Sequence, residues 1–463
     1  MIARELAAWA LGLAEVPGPV SAAATRHLLD GFGTALGALR TGAAAPAIEV
    51  ARGLGGPPEA GVLGGGERLS APAAALANGT LVHALDFDDT HAGGLVHATA
   101  VVLPAAFAVG QQTGASGREI LTAAVAGYET ACRVAAAAPH GFHARGLHAT
   151  MVAGVFSSAL VSARLLGLDA RRAANALGIA GSQAGGLLAF LGTGASTKQL
   201  HPGFASQSGI VAARLAAAGA TGPETVFDGP HGVFDTLSAN PAEPASIVDG
   251  LGERWETTRI GIKPYAACQL SHATIGAVLD AMAREGFGAD EVISVHAKVH
   301  PDSAPVVCDT SRDLTRPASP YAAKFSLPWT VAALITDRGL SLETFEPDSI
   351  ARPEVTRLAA RVSWDVTGSP GVVAADAPGQ VTITLDDGRE VAGSVPRSEG
   401  GGDRPLGRAA LIAKFEGNAG VPATDAEAFA RTVETLGDQQ DAATVMRAAA
   451  RLAQLTPSAQ EKE

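Results

Sequence analysis

VTITLDDGREVAGSV, residues 381–395, breaks the texture of everything that precedes it. Val381, Ile383 and Leu385 alternate with polar residues, as a strand with one buried face requires. Asp387 and Gly388 then supply residues that tolerate the positive φ of a tight primed turn, so the stretch predicts a β-hairpin. Working outward, VISVHAKVH at 292–300 and RVSWDV at 361–366 have the same β-branched enrichment. A smaller α+β domain is therefore expected over residues 266–397.

Residues 1–265 read differently. Ala-rich segments of helical periodicity are separated by Gly and Pro, as in GLGGPPEAG at 53–61 and GPETVFDGPHG at 222–232, so this block is expected to be all helical. SSALVSARLLG at 157–167 is a core helix by propensity, with Gly167 as its stop. PRSEGGGDRPLG at 396–407 reads as a Gly-rich linker, after which residues 404–463 turn helical again and return to the first domain. TPSAQEKE at 456–463 reads as a solvated tail. The predicted fold is mainly α with a smaller α+β domain, the large helical domain being formed by both chain ends. A length of 463 residues agrees with two domains.

Composition excludes several classes. The formal charge of −12 comes without a basic stripe, so nucleic acid is not expected as a partner. An acidic chain that binds an anion must gather its cations locally, and Lys198 and Lys263 stand out as lysines in apolar, Gly-containing surroundings. Three scattered cysteines, Cys132, Cys268 and Cys308, argue against a disulfide framework or an iron–sulfur motif and fit a cytoplasmic location. MIARELAAWALGLAEV carries Glu5 and Glu15 within its apolar pattern and reads as an amphipathic helix, not a signal peptide. The apolar run Ala98–Gly110 is interrupted by Pro104 and falls short of the about 20 residues that cross a bilayer, so no membrane association is expected.

Four strings concentrate polar chemistry. In HALDFDDTHAGGLVHATAVVLP (83–104), metal ligation by His83, Asp86 and His91 matches no ligand template; Asp88 to Thr90 can cap the next segment; acid–base work or substrate binding is the third reading. PHGFHARGLHAT (139–150) places His148 at the start of an Ala-rich helix, where anions are favoured. GTGASTKQLHPG (192–203) lacks the Gly that a phosphate loop needs before Lys198, which leaves Lys198 as a point charge for a carboxylate. IKPYAACQLSHAT (262–274) sets Lys263 and His272 at the junction of the helical and β-rich blocks, where ligand sites are common. No motif for a metal, a nucleotide or a flavin is found, so no cofactor is expected.

Together, ANGTLVHALDFDDTH, GLHATMVAG, STKQLHPG, KPYAACQLSH, KFSLPWTVAAL and LIAKFEG, in this order, resemble the MmgE/PrpD family over nearly the whole length. The resemblance implies a large helical domain from both chain ends, an inserted lid domain, an active site between them and a homodimer. It implies Asp86, His148, Lys198 and His272 as catalytic residues, and Thr90, His97, Lys263 and Trp329 as substrate-binding residues. Lys198 would bind a carboxylate, His148 and His272 would exchange protons, and Asp86 would orient an imidazole or assist. Two departures are visible: Trp329 replaces the Tyr that often closes the FSLPY-like string, and the spacing from Thr90 to His97 is one residue longer than in the decarboxylase branch. The implied activity is a cofactor-independent lyase on a small anionic polycarboxylate, with dehydration of a 2-methylcitrate-like hydroxy acid leading. Decarboxylation of a cis-aconitate-like substrate and epimerisation beside a carboxylate follow. A metal-dependent hydrolase or an inactive dimeric binding protein is the reading from another class.

Overall fold

The computed structural model describes residues 1–368, 372–441 and 443–455; the tail at 456–463 lies outside them. The chain divides into two compact units. The first comprises Met1–Leu188, Thr197–Ile262 and the segment from Gly407 onward, the second Ala189–Ser196 and Lys263–Leu406. The fold is mainly α, with a sheet confined to the second unit apart from two short ladders.

Six helices build the centre of the first unit: α1 (Gly18–Arg40), α2 (Ala71–His83), α3 (Thr99–Thr113), α4 (Gly117–Ala136), α5 (Ala149–Leu165) and α6 (Thr197–Ala217). Every residue of α3 from Thr99 to Gly110 is buried, including Pro104, so this helix has no solvent face before its last turn. Such a helix needs neighbours on all sides, and Ala and Gly let them come close. The tightest crossing is α2 on α6. A Cβ on Gly203 would lie 2.4 Å from the Leu76 carbonyl, and one on Gly79 would lie 2.8 Å from Gly203 Cα. Helix α5 ends as its sequence predicts: Leu165 is its last residue, and Gly167 follows with φ +68°.

The C-terminal segment is tied to the first unit by its helix Arg408–Ala419. Lys414 Nζ lies 2.6 Å from Asp30 Oδ1 of α1, donates to the Phe87 carbonyl at 2.8 Å, and sits 4.0 Å from the centre of the Phe87 ring. Residues 1–265 are not wholly helical, however. Ala60–Gly61 pairs with Arg68–Leu69, and Thr90–His91 pairs with Ile260–Gly261, both antiparallel. Ladders of two residues carry no periodicity that a sequence can display; they satisfy the backbone of loops pressed against the helices. Among the described residues no helix is long and apolar enough to cross a membrane.

In the second unit four strands, β1 (Val292–Val299), β2 (Val362–Val366), β3 (Gly379–Leu385) and β4 (Glu390–Val395), form one sheet in the order β2-β1-β3-β4. β1 and β2 are parallel and the other pairs antiparallel. Val381, Ile383 and Leu385 are buried, as their alternation predicts. The turn differs from expectation. Only Gly388 takes positive φ, +85°, with the Gly388 N–H donating to Leu385 O, so this is not a primed two-residue turn. The four residues between β3 and β4 let a single glycine absorb the strain. Helix α7 (His272–Glu285) lies so close to β4 that a Cβ on Gly393 would overlap the Ala277 carbonyl. The stretch at 396–407 is packed and not a loose linker: Ser398 is buried and accepts from Gln269 Nε2 at 3.2 Å.

Gly203→Ala is expected to lower stability by about 1–3 kcal/mol, because the methyl must push the α2 backbone away. Gly417→Ala, in a helix with nothing within 4 Å of the new methyl, is expected to raise it by about 0.5–1 kcal/mol. Urea unfolding of both variants checks the pair; equal changes would remove the close α2–α6 contact as the cause.

Candidate functional site

The run Asp86–His91 leaves the end of α2 through a turn in which Asp86 has φ +51°, a left-handed conformation that Asp tolerates better than most residues. The reversal gives each side chain of the run a separate partner. Asp86 Oδ1 accepts from Lys198 Nζ of α6 at 2.5 Å, with both groups buried. Asp88 Oδ2 accepts from His83 Nδ1 at 2.8 Å and lies 3.9 Å from His97 Nδ1. Asp89 Oδ1 accepts from the Thr99 N–H at 3.1 Å, which makes it a cap for α3 at long range. His91 Nε2 donates to Glu256 at 3.0 Å.

His97 Nδ1 donates to the Asp89 carbonyl at 2.8 Å and is 3.2 Å from Thr90 Oγ1. His148 is the N-cap residue of α5, and its Nδ1 is 3.1 Å from Nδ1 of His201 on α6. Ring centres of His83, His97 and His148 are 4.7 to 5.8 Å apart. The structure places Asp86, Thr90, His97, His148 and Lys198 near one another, together with His83, Asp88 and His201. His201 was open to inspection in STKQLHPG, two residues before the glycine that admits α2.

Burial sets the charge states. Desolvation, followed by the nearby Lys198 ammonium, pushes the His148 pKa well below the ordinary value for histidine. His201 falls to about 4, first through burial and then through His83 and Lys198. Both rings are therefore neutral at pH 7. A neutral pair sharing one Nδ1···Nδ1 bond must hold opposite tautomers, one donating and one accepting. Burial raises Asp89 to about 8, against the opposing bond from the Thr99 hydroxyl, so this carboxyl is largely protonated at pH 7.

Two groups among the described residues can hold a metal ion: His83, His97 and His148, and His83, Asp86, Asp88 and His97. His91 belongs to neither, because Glu256 holds it. The trio His83, Asp86 and His91 is thus not assembled as a ligand set.

Lys263, His272 and Trp329 belong to the second unit. Lys263 is buried there. His272 opens α7, with Nε2 donating to the Ala267 carbonyl at 3.0 Å and its ring edge-on to Tyr265 at 5.3 Å. Trp329, in helix α8 (Leu327–Asp337), is fully buried against Phe345 at 5.6 Å between ring centres, and its indole N–H has no acceptor among the described residues.

A mainly helical chain with a smaller sheet-bearing unit, and with buried imidazoles beside a lysine–carboxylate pair, defines a narrow class. Residues 4–244 match the MmgE/PrpD N-terminal domain and residues 265–438 the MmgE/PrpD C-terminal domain. The chain belongs to the MmgE/PrpD family. It is 28% identical to a cis-aconitate decarboxylase of Aspergillus terreus over 434 residues, covering 88% of this chain and 85% of the relative. It is 30% identical to a cis-aconitate decarboxylase-like protein of Aspergillus oryzae, covering 73% and 74%, and 28% identical to the cis-aconitate decarboxylase of Homo sapiens, covering 81% and 78%.

The charge states fix a pH dependence. His201 and His27, both near 4, and His148 bind protons less readily folded than unfolded. Their contribution is present above the unfolded value of about 6.5 and is lost as pH falls toward 4. Asp89 acts oppositely: folded, it keeps its proton up to about 8, so it lowers stability as pH rises from about 4 to 8. Between pH 6 and 4.5 the histidines outnumber Asp89. Stability is expected to fall there by at least about 1.4 kcal/mol per pH unit, with a maximum near neutrality. Urea midpoints at pH 5, 6.5 and 8 measure this, and His27→Gln should flatten the acid limb.

Proposed function

We propose that this chain is a lyase acting on a small polycarboxylate, with decarboxylation of a cis-aconitate-like tricarboxylate as its first candidate reaction. The observation that carries the reading is the buried Lys198–Asp86 pair beside neutral imidazoles. Lys198 offers a positive point charge to a substrate carboxylate, with Asp86 holding the ammonium in place. When a carbon–carboxylate bond breaks, the electron pair stays on the carbon skeleton and spreads into the neighbouring unsaturation, where a fixed cation stabilises it. The carbon then needs a proton. A polyanion arriving beside the histidines raises their proton affinity, so His148, paired with His201, is proposed as the carrier, with Thr90 and His97 hydrogen-bonding the substrate. His272 and Lys263 are proposed on their place at the junction string, and Trp329 on the family resemblance, His272 in proton exchange and the other two in substrate binding.

Dehydration of a 2-methylcitrate-like acid, the reaction favoured by the sequence reading, would use the same groups. The names of the relatives favour testing decarboxylation first. Mass analysis of products from cis-aconitate, 2-methylcitrate and citrate in D2O separates the two: loss of CO2 with deuterium at carbon supports decarboxylation, and loss of water supports dehydration. Activity that disappears with chelator and returns with a divalent ion would overturn both in favour of a metal-dependent hydrolase. Lys198→Ala is expected to lower kcat/KM by at least about 100-fold. Lys298→Ala, on an exposed position of β1, should leave it unchanged. Equal rates for the two variants would remove Lys198 from the chemistry.

A homodimer is proposed as well. Phe204, Val211 and Leu215 are partly exposed on one face of α6, at the spacing that aligns on a helix. Light scattering of the wild type should give twice the chain mass, and Val211→Glu should shift it toward one.

A further inference from the structure

The geometry points to a divalent transition-metal site formed by His83, His97 and His148, which takes Zn2+ and thereby switches off the site described above. The switching part rests on the proposed function; the binding part does not.

Three buried imidazoles each offer a ligand atom here, and the three atoms lie within 4.8 Å of one another. Three histidines leaving a further position open are a common zinc ligand set, and imidazole suits that ion. What makes this trio a ligand set, beyond three clustered rings, is the partner of each Nδ1. His83 Nδ1 donates to the Asp88 carboxylate at 2.8 Å, and His97 Nδ1 donates to the Asp89 carbonyl at 2.8 Å. His148 Nδ1 meets His201 Nδ1 at 3.1 Å, and in one of the two tautomers of that pair it is the donor. A ring whose Nδ1 proton is held this way keeps its lone pair on Nε2, the arrangement found behind metal-bound histidines, where the outer partner fixes the tautomer and raises basicity. His83 Nε2 supplies the second, independent observation: it is buried and has no hydrogen-bond partner among the described residues. A buried ring nitrogen in that condition is costly unless something occupies it.

Charge is favourable too. Lys198 would repel a cation, but Asp86 already engages it at 2.5 Å, and Asp86 and Asp88 form the second ligand group with His83 and His97. A metal on these lone pairs removes the groups proposed to carry protons, so the ion inhibits.

The experiment uses the full chain, stripped with chelator and dialysed. Equilibrium dialysis against buffered Zn2+ at pH 7 should load one ion per chain, and His83→Ala and His148→Ala should each abolish that binding. His296→Ala and His300→Ala, which alter histidines near Asp365 and Asp302 in the second unit, should retain it. Loss in the second pair with retention in the first overturns the site. In case the core variants do not fold, Co2+ on the wild-type chain decides alone: intense visible bands indicate four-coordinate imidazole ligation, and the weak bands of a six-coordinate ion overturn it. Zn2+-loaded protein should decarboxylate cis-aconitate at less than a tenth of the stripped rate, recovering with EDTA; undiminished turnover in the loaded form overturns the switching. If no polycarboxylate is turned over even by stripped protein, the proposed function fails while the dialysis and Co2+ results still judge the metal site.

Discussion

The constraint on which the first unit depends is the turn at Asp86, where a left-handed backbone sends six consecutive residues to six different partners. Asp86 reaches Lys198, the Phe87 carbonyl and ring hold Lys414, Asp88 takes His83, Asp89 takes Thr99, Thr90 meets His97, and His91 meets Glu256. These partners come from α2, α3 and the segment just before it, α6, the C-terminal helix and the turn Glu256–Arg259, so the run acts as a bolt through the helical unit. Strain at a non-glycine positive φ persists only where the surroundings over-determine it, and six tethers do so. Removing one partner of the buried Lys198–Asp86 pair would leave a charge uncompensated, which costs more than the pair itself contributes.

The surrounding helices can supply those partners only because they approach so closely. Gly203 on α6 touches the backbone of α2, and Gly209 on the same helix faces Ser158 of α5. Larger residues at either position would separate the helix ends that carry Lys198, His201, His83 and His148. Close packing of small residues thus does more than fill the core: it fixes the imidazoles at a spacing of 4.7 to 5.8 Å and keeps water away from them. The lowered proton affinity of His148 and His201 follows from the same packing.

How much of this was legible follows from the range of each interaction. Alternation over β3 and helical periodicity over α5 are local, and both elements were readable. Asp86, His97, His148 and Lys198 stand out as candidates because Gly, small residues and apolar runs surround them. The pairing of His83 with Asp88 was not, since residues five apart meet only if the chain reverses between them, and nothing in HALDFD declares the positive φ at Asp86. Glu256 lies 165 residues from the His91 it holds, and the ladder that pairs His91 with Ile260, four residues beyond Glu256, has two residues per strand. His201 is visible in STKQLHPG, but its pairing with His148, 53 residues away, is not local to that string. Trp329 stands out in its string as a departure from the family pattern, and the contact with Phe345 that buries it in the second unit is not legible there.

The electrostatic character of the cluster connects its two proposed ligands. An ammonium and a carboxylate cancel at Lys198 and Asp86, His148 and His201 are neutral, and Asp89 largely keeps its proton at pH 7, so this part of the site holds little net charge. Such a site responds strongly to whatever charge enters, because low polarity magnifies each added interaction. A polyanion raises the proton affinity of the imidazoles and draws a proton onto them. A divalent cation draws their lone pairs instead. The two ligands therefore compete for the same nitrogen atoms through opposite effects on proton affinity, and the neutral resting state produced by burial is what leaves both responses open.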